Sequence, residues 1–443
     1  MRQKKPTKRQ HMQIQWHDIV KSDSDIPAKS SPLKEKTSLV GRVGSMMLAC
    51  GTSAWRVRAA MNKISRTLGI STNIDVGLTT IHFTCIEDGK HYSQTIALPT
   101  TGVNTDKLMD MEMFIDSFGE KASEISVEKI HAILDKIDSR KPTRKAWQLG
   151  LSAGVACFAF TYLLGGSLIE MICAFIGAGI GNFIRKLMLE RKLSLLVNVA
   201  ISVLASCLAY VLSISLIEVA FNLPPTHHAG YICAMLFIIP GFPLITGGID
   251  IAKLDLRSGI ERITYAILII GTATLVGWVT AMTVHFNPAD FEPLNISLPL
   301  KIALQIVMSF IGVFGFSMMF NSPVKMAVTA GAIGTITNVL RLALIEALAI
   351  PLGVAAFIGA FLAGILASII KHNVGYPRIS LTIPSIVIMV PGMFMYKAIY
   401  YFGLYDLSTG ADWLTKAILI VVALPLGLVF ARFCTDRDYR HCS

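Results

Sequence analysis

The sequence predicts an α-helical polytopic membrane protein, with ten transmembrane helices arranged as a 5+5 inverted repeat behind a small α+β cytosolic domain. Three observations predict it. The first is composition: of 443 residues, 53% are hydrophobic and only 16% charged, with a mean hydropathy of +0.58. Soluble chains carry about 25% charged residues. The second is a stretch that occurs twice inside apolar segments, Ile239-Pro240-Gly241-Phe242-Pro243 and Val390-Pro391-Gly392-Met393. Fifteen residues beyond each Pro stands Asp-Leu-x-Ser/Thr-Gly, as Asp255 to Gly259 and Asp406 to Gly410. Either Pro-Gly alone means little; the shared spacing argues for an internal duplication. The third is the placement of the cations, which sets the direction of the spans.

The chain divides into four parts. Residues 1–38 read as a disordered basic tail, polar and rich in Lys and Arg, with no apolar run and hence no secretory signal peptide. Residues 39–140 read as the α+β domain. Trp55, Val57, Met61, Ile64 and Leu68 recur at helical spacing, with Arg56, Arg58, Lys63 and Arg66 as a basic face. A hairpin follows, turning at Asp88-Gly89. Two amphipathic helices come next, on Leu108, Met111, Phe114 and Phe118, then on Val127, Ile130, Leu134 and Ile137. Residues 141–285 and 286–443 read as two five-helix membrane halves, each span near the roughly 20 residues a bilayer requires.

Of the twenty Lys and Arg after residue 140, sixteen fall on the side of the N-terminal domain when ten spans are assumed. Positive loops stay in the cytoplasm, so both termini are expected there, in a bacterial cytoplasmic (inner) membrane. The same asymmetry accounts for the net charge of +11 without a nucleic-acid partner. An odd number of spans per half reverses the direction of the second half. The two Pro-Gly elements then run oppositely, in spans four and nine, as inverted-topology repeats require.

Pro and Gly break a helix, and in lipid the freed backbone groups must find partners. Broken helices at corresponding places in two halves point to a transporter's binding site. The candidate substrate contacts are therefore Pro240, Gly241, Pro243, Pro391 and Gly392. The N-terminal end of a half-helix, with free N–H groups and partial positive charge, suits a carboxylate. Asn182 and Asn338 join them, because each follows a small-residue run in spans two and seven and precedes an Arg by three residues. The glycines of those runs read as helix packing. Ionisable residues inside spans are candidates for proton coupling or gating. They are Asp250 and Glu170 first, then Asp255, Lys397 and Arg341, with Arg341 also able to snorkel or to pair with Glu346. His227-His228 sits in a short loop with no third ligand, and the eight cysteines are scattered with no CxxC. No metal, disulfide or cofactor is expected.

The chain resembles the threonine/serine exporter family from about Gly44 to its end. The resemblance rests on Gly51-Thr52-Ser53-Ala54-Trp55-Arg56-Val57 in the domain. In the first half it rests on Ile239 to Leu244 with Asp250, Ser258 and Gly259. In the second it rests on Pro384, Val390-Pro391-Gly392 and Tyr396, which look like the smaller partner of two-chain members. The two components are fused here. The resemblance implies export of small metabolites and adds Tyr396 to the candidate substrate contacts. Some members handle threonine and serine, and two-chain relatives are associated with dicarboxylates such as succinate.

The function expected is secondary export of small carboxylate-bearing metabolites, threonine or serine first and a dicarboxylate as the alternative, with protons as a candidate coupling ion. The chain has no ATP-binding motif. An enzyme is not expected: no Ser/His/Asp, HExxH or phosphate-loop constellation is present, and His82, His91 and His131 are isolated in sequence. A membrane sensor or a membrane enzyme using the cytosolic domain is the alternative of another class, and residues 1–140 carry no recognisable output module. The partners expected are the lipid bilayer and a small amino acid or dicarboxylate, with no nucleic acid and with homo-oligomerisation left open.

Overall fold

A computed structural model describes residues 14–20, 26–140, 144–222, 224, 227–286 and 291–440. The chain forms two compact units. The first comprises residues 1–141 together with Asp255–Ser258, and the second comprises 142–254 and 259–443.

In the first unit, helix α1 (Leu33–Ala49) is buried along most of its length and packs on α2 (Ala54–Thr67). The expected domain boundary at residue 39 falls inside α1. A three-stranded antiparallel sheet follows in the order β1 (Ser71–Val76), β2 (Thr80–Glu87), β3 (Lys90–Ala97). The β2–β3 turn falls at Asp88-Gly89, both with positive φ (49° and 74°), as a two-residue hairpin turn requires. β1 was not foreseen; its Ile74 and Val76 face the core but its other positions are polar. Helices α3 (Thr105–Asp116), α4 (Phe118–Ala122) and α5 (Val127–Ser139) complete the unit.

His131 of α5 is not isolated. It is fully buried and bonded on both ring nitrogens: Ser38 Oγ lies 2.9 Å from Nε2, and Arg42 Nη1 lies 3.2 Å from Nδ1. Guanidinium only donates, so Nδ1 accepts and Nε2–H donates to Ser38, whose hydroxyl donates to the Glu35 carbonyl. A histidine in that tautomer cannot take the Ser38 proton. The pair is a structural network and not a nucleophile with its base.

The second unit is helical. Eight of its helices are long and apolar enough to cross a membrane: α6 (Ala146–Leu163), α7 (Leu168–Glu190), α8 (Leu195–Phe221), α11 (Leu256–Thr283), α12 (Leu298–Met319), α13 (Val324–Leu348), α14 (Leu352–Val374) and α17 (Leu407–Thr435). Two helix pairs also qualify but are bent at a break. They are α9 (Gly230–Ala234) with the following 3₁₀ turn and α10 (Gly241–Ala252), bent by 58°, and α15 (Arg378–Val387) with α16 (Gly392–Gly403), bent by 50°. The described residues thus supply eight spans, or ten if each bent pair is one. The apolar residues Leu204, Leu208, Leu212, Leu216 and Val219 line an exposed face of α8 at helical spacing, a surface that only lipid or protein could cover.

Small residues bring the helices close. α6 and α12 cross where a methyl added at Gly315 would lie 2.8 Å from the Ala156 nitrogen, and one at Gly312 would lie 3.4 Å from Ala159 Cβ. The hairpins α10–α11 and α16–α17 share one plan, 151 residues apart. Each has a twelve-residue half-helix and a short turn with a left-handed residue, Leu254 or Tyr405. A glycine then meets the half-helix: a methyl at Gly259 would lie 2.5 Å from Ile251 Cγ1, and one at Gly410 would lie 2.5 Å from Phe402 Cδ1.

Candidate functional site

Both breaks have the same local cause. Proline disfavours the helical conformation in the residue before it, and Ile239 leaves the helix at ψ 122°. Pro240 then sits at φ −82°, ψ 61° and Pro391 at φ −83°, ψ 54°. Gly241 N–H donates to the Ile239 carbonyl at 2.8 Å, and Gly392 N–H donates to the Val390 carbonyl at 2.9 Å. Each proline is therefore the centre of an inverse γ-turn. The next helix starts at once: Leu244 N–H donates to the Pro240 carbonyl at 3.1 Å, and Met395 N–H to that of Pro391 at 3.0 Å.

The γ-turns reduce what the half-helix ends can offer a ligand. Gly241 has spent its N–H and Pro243, in the first turn of α10, has none, which leaves Phe242. In α16, Met393 and Phe394 remain.

The two breaks meet. A methyl on Gly241 would lie 2.6 Å from Val387 Cγ2 and 3.2 Å from Val390 Cγ2; one on Gly392 would lie 2.8 Å from Leu236 Cδ2 and 3.1 Å from Ile239 Cγ1. These contacts are reciprocal, because 236, 239 and 241 stand in the same register as 387, 390 and 392. Around them lies a cavity of about 10 Å³, lined by Phe160, Leu236, Ile239, Gly241, Phe316, Val387, Val390 and Gly392. That is room for about one water, which would need two to four polar partners. In this conformation the meeting point is narrow and apolar.

Of the other candidates, Tyr396 stands one turn into α16, beyond Gly392. It is buried, and its hydroxyl is hydrogen-bonded to that of Tyr231 on α9, with the rings edge to face at 5.7 Å. Asp250 of α10 is fully buried and its Oδ2 accepts from Arg262 Nε of α11 at 3.1 Å, the Arg262 side chain being 2% exposed. Lys397 of α16 is buried, with its ammonium 4.7 Å from the centroid of the Trp413 ring of α17.

The remainder stand elsewhere. Asn182 donates to the Leu149 carbonyl at 2.7 Å, and Asn338 donates to Ser309 Oγ at 2.9 Å while accepting from Arg341 Nε at 3.1 Å. Arg341 does not pair with Glu346, which instead accepts from Lys301 at 2.6 Å and from Gln305 at 3.0 Å. Glu170 stands in the first turn of α7, where its carboxylate accepts from Ser167 N–H at 2.8 Å. Asp255 belongs to the first unit and pairs there with Arg58. His228 stacks on Phe286 at 4.1 Å.

Sequence reasoning missed Tyr231, Arg262 and Trp413. Arg262 was counted among the loop cations, six residues into what proves to be a helix starting at Leu256. Trp413 becomes legible only by laying the two halves over each other, where it matches Arg262, whereas Tyr231, whose counterpart is Thr382, carries no such signal.

Paired broken helices inside a bundle of lipid-length helices define a membrane transport protein. Residues 38–285 match the family model described as "Putative threonine/serine exporter", and residues 305–434 match a second described as "Threonine/Serine exporter, ThrE". The chain belongs to the threonine/serine exporter family, with both components in one polypeptide. It is 26% identical over 264 residues to the "Probable succinate transporter subunit YjjP" of Klebsiella aerogenes, covering 58% of this chain and 96% of that protein. The Escherichia coli protein of the same name is 26% identical over 257 residues, covering 56% of this chain and 94% of its own length. No solved structure matches the chain.

Proposed function

We propose that the chain is a secondary exporter of small carboxylate-bearing metabolites, threonine or serine first, working from a bacterial cytoplasmic membrane with both termini inside. Its membrane unit is read as a 5+5 inverted repeat whose pathway opens where the two breaks meet. The observation that carries this is the reciprocal seating of Gly241 on Val387 and of Gly392 on Leu236. Two helices interrupted in the same register meet at their breaks through glycine and branched aliphatics, and the Tyr231–Tyr396 hydroxyl pair is the hydrogen bond that their parting on that side would break. Substrate carboxylate is then received by Phe242, Met393 and Phe394 N–H groups at the half-helix ends. The narrow, apolar cavity is the constriction of that pathway, and a hydrophobic constriction excludes water and ions when no substrate is present.

A second reading, export of a dicarboxylate, is favoured by the name of the two relatives, a probable succinate transporter subunit. We read the first unit as regulatory or gating. The tautomer of His131 supports that over a hydrolase. The test is transport of labelled serine, threonine and succinate by the purified full chain in liposomes. Uptake of serine or threonine, with succinate neither carried nor competing, fits the first reading. Succinate transport without amino-acid transport replaces it with the second. Transport of none overturns both.

A further inference from the structure

The two half-helices are each held by a charged contact at matching positions. Arg262 and Trp413 are both the seventh residue of the helix that follows a half-helix, and they stand in the same register as the two Pro-Gly pairs. Arg262 reaches back to Asp250 on α10, and Trp413 reaches back to Lys397 on α16. Lys397 sits one helical turn nearer its break than Asp250 does. Around both contacts the packing follows the same plan, with Gly259 on Ile251 and Gly410 on Phe402.

We propose that Arg262 and Trp413 are paired positioning residues, each latching one half-helix shut at its own end of the pathway, so that release of one latch at a time sets which side is open. This rests on the reading that the pathway passes between the breaks. The latches differ in kind. The first is a buried ion pair between two groups almost wholly withdrawn from solvent. The second is a cation over an aromatic face, shared with Lys416, whose ammonium lies 4.9 Å from the same ring. A buried ion pair is costly to break, because either partner alone is left a buried charge, whereas a cation on an indole is held by the ring face. The Arg262 end therefore responds to an incoming charge, a proton on Asp250 or a carboxylate at Arg262.

Two cysteine reporters test this in the full chain. Cys233 is native and buried on α9, two residues from Tyr231, whose hydroxyl is hydrogen-bonded to that of Tyr396 on α16, so it reports the Trp413 end, with C233A as its blank. Thr382→Cys, in the same register as Tyr231 and 4% exposed, reports the Arg262 end. Membrane-impermeant maleimide is applied to intact cells and to inverted vesicles. Trp413→Ala should raise Cys233 labelling from outside at least about threefold, a modest population shift, and leave Thr382→Cys unchanged; Trp413→Tyr should restore the low value. The charge-neutral pair Asp250→Asn with Arg262→Gln, chosen because neither partner is left as a lone buried charge, should do the reverse. Equal rises at both reporters, or no rise at either, overturn the proposal. The underlying reading is checked in the same preparation with unmodified latches: saturating serine, threonine or succinate should change labelling at the reporters. If a substrate does so while the latch variants do not, the latches alone are wrong. If none does, the pathway itself is wrong.

Discussion

Leu254 and Tyr405 share a left-handed backbone, φ 64° and 62°, at matching points of the two hairpins. Neither is glycine, and both side chains are exposed, at 76% and 91%. A residue with a Cβ loses roughly 1–2 kcal/mol in this region, and little burial offsets it here. The turn geometry is therefore imposed by its surroundings: the half-helix on one side and the glycine-backed helix on the other.

Replacing Leu254 by Val should lower the melting temperature of the purified chain, because a β-branched residue tolerates positive φ least. Leu254→Gly should be neutral or slightly stabilising, since it removes the αL penalty and adds about 0.5–1 kcal/mol of chain entropy. An unchanged melting temperature in Leu254→Val would show that the turn relaxes freely.

Gly241→Leu and Gly392→Leu should each abolish transport while the protein still inserts and purifies. Even a methyl would come within 2.6 Å of Val387 and 2.8 Å of Leu236 respectively, and overpacking of this kind costs about 1–3 kcal/mol or more. The opposing truncation, Val387→Ala, should partly rescue Gly241→Ala. Transport is the readout, with size-exclusion profile as the control for folding.

Asp250→Asn should destabilise the chain by roughly 3–5 kcal/mol, the cost of leaving a buried guanidinium without its counter-charge. Combining it with Arg262→Gln should recover much of that loss. If Asp250→Asn instead transports fully and with the same pH dependence as the parent, Asp250 is not the proton carrier.

Acid should loosen the first unit. Burial, and then the charge of Arg42, hold the His131 pKa down at about 3 against an ordinary value of 6.5. The unfolded chain binds the extra proton across that window, so stability falls as pH drops from 6.5 toward 3. His17 works the other way. Its hydrogen bonds to Asp135 and Glu128, both 2.7 Å, raise its pKa. Its contribution is full below 6.5 and fades as pH rises through the raised value. Trp16 stacks on His131 at 6.2 Å, so the emission that Trp16→Phe removes should follow both transitions. His131→Gln should flatten the acid limb and leave the other in place.

Long-period features were the legible ones. Apolar runs of lipid length, the Pro-Gly breaks and the Asp88-Gly89 turn are each dictated by local chemistry, and each stands where the residues imply. Contacts were not legible. Asp250 could be flagged as a carboxylate in an apolar setting, but its partner Arg262 lay beyond a turn and looked like one loop cation among many. The same held for Ser38 and His131, far apart in sequence and joined only when α1 packs on α5. The half-helix ends were expected to offer free N–H groups to a carboxylate. The two γ-turns and Pro243 consume or lack most of the N–H groups a helix end would present, and branched aliphatics fill the rest.

The crossed seating of the two glycines also constrains heredity. A bulkier side chain at 387 can be tolerated only if 241 stays bare, and one at 236 only if 392 does. The two copies of the signature are thus forbidden to drift independently at their point of contact, whereas helix faces turned outward answer to no partner in the other half. Sequence likeness between the halves should survive as a small island around the prolines and dissolve with distance from it, so that substitutions at 236, 241, 387 and 392 are accepted in pairs.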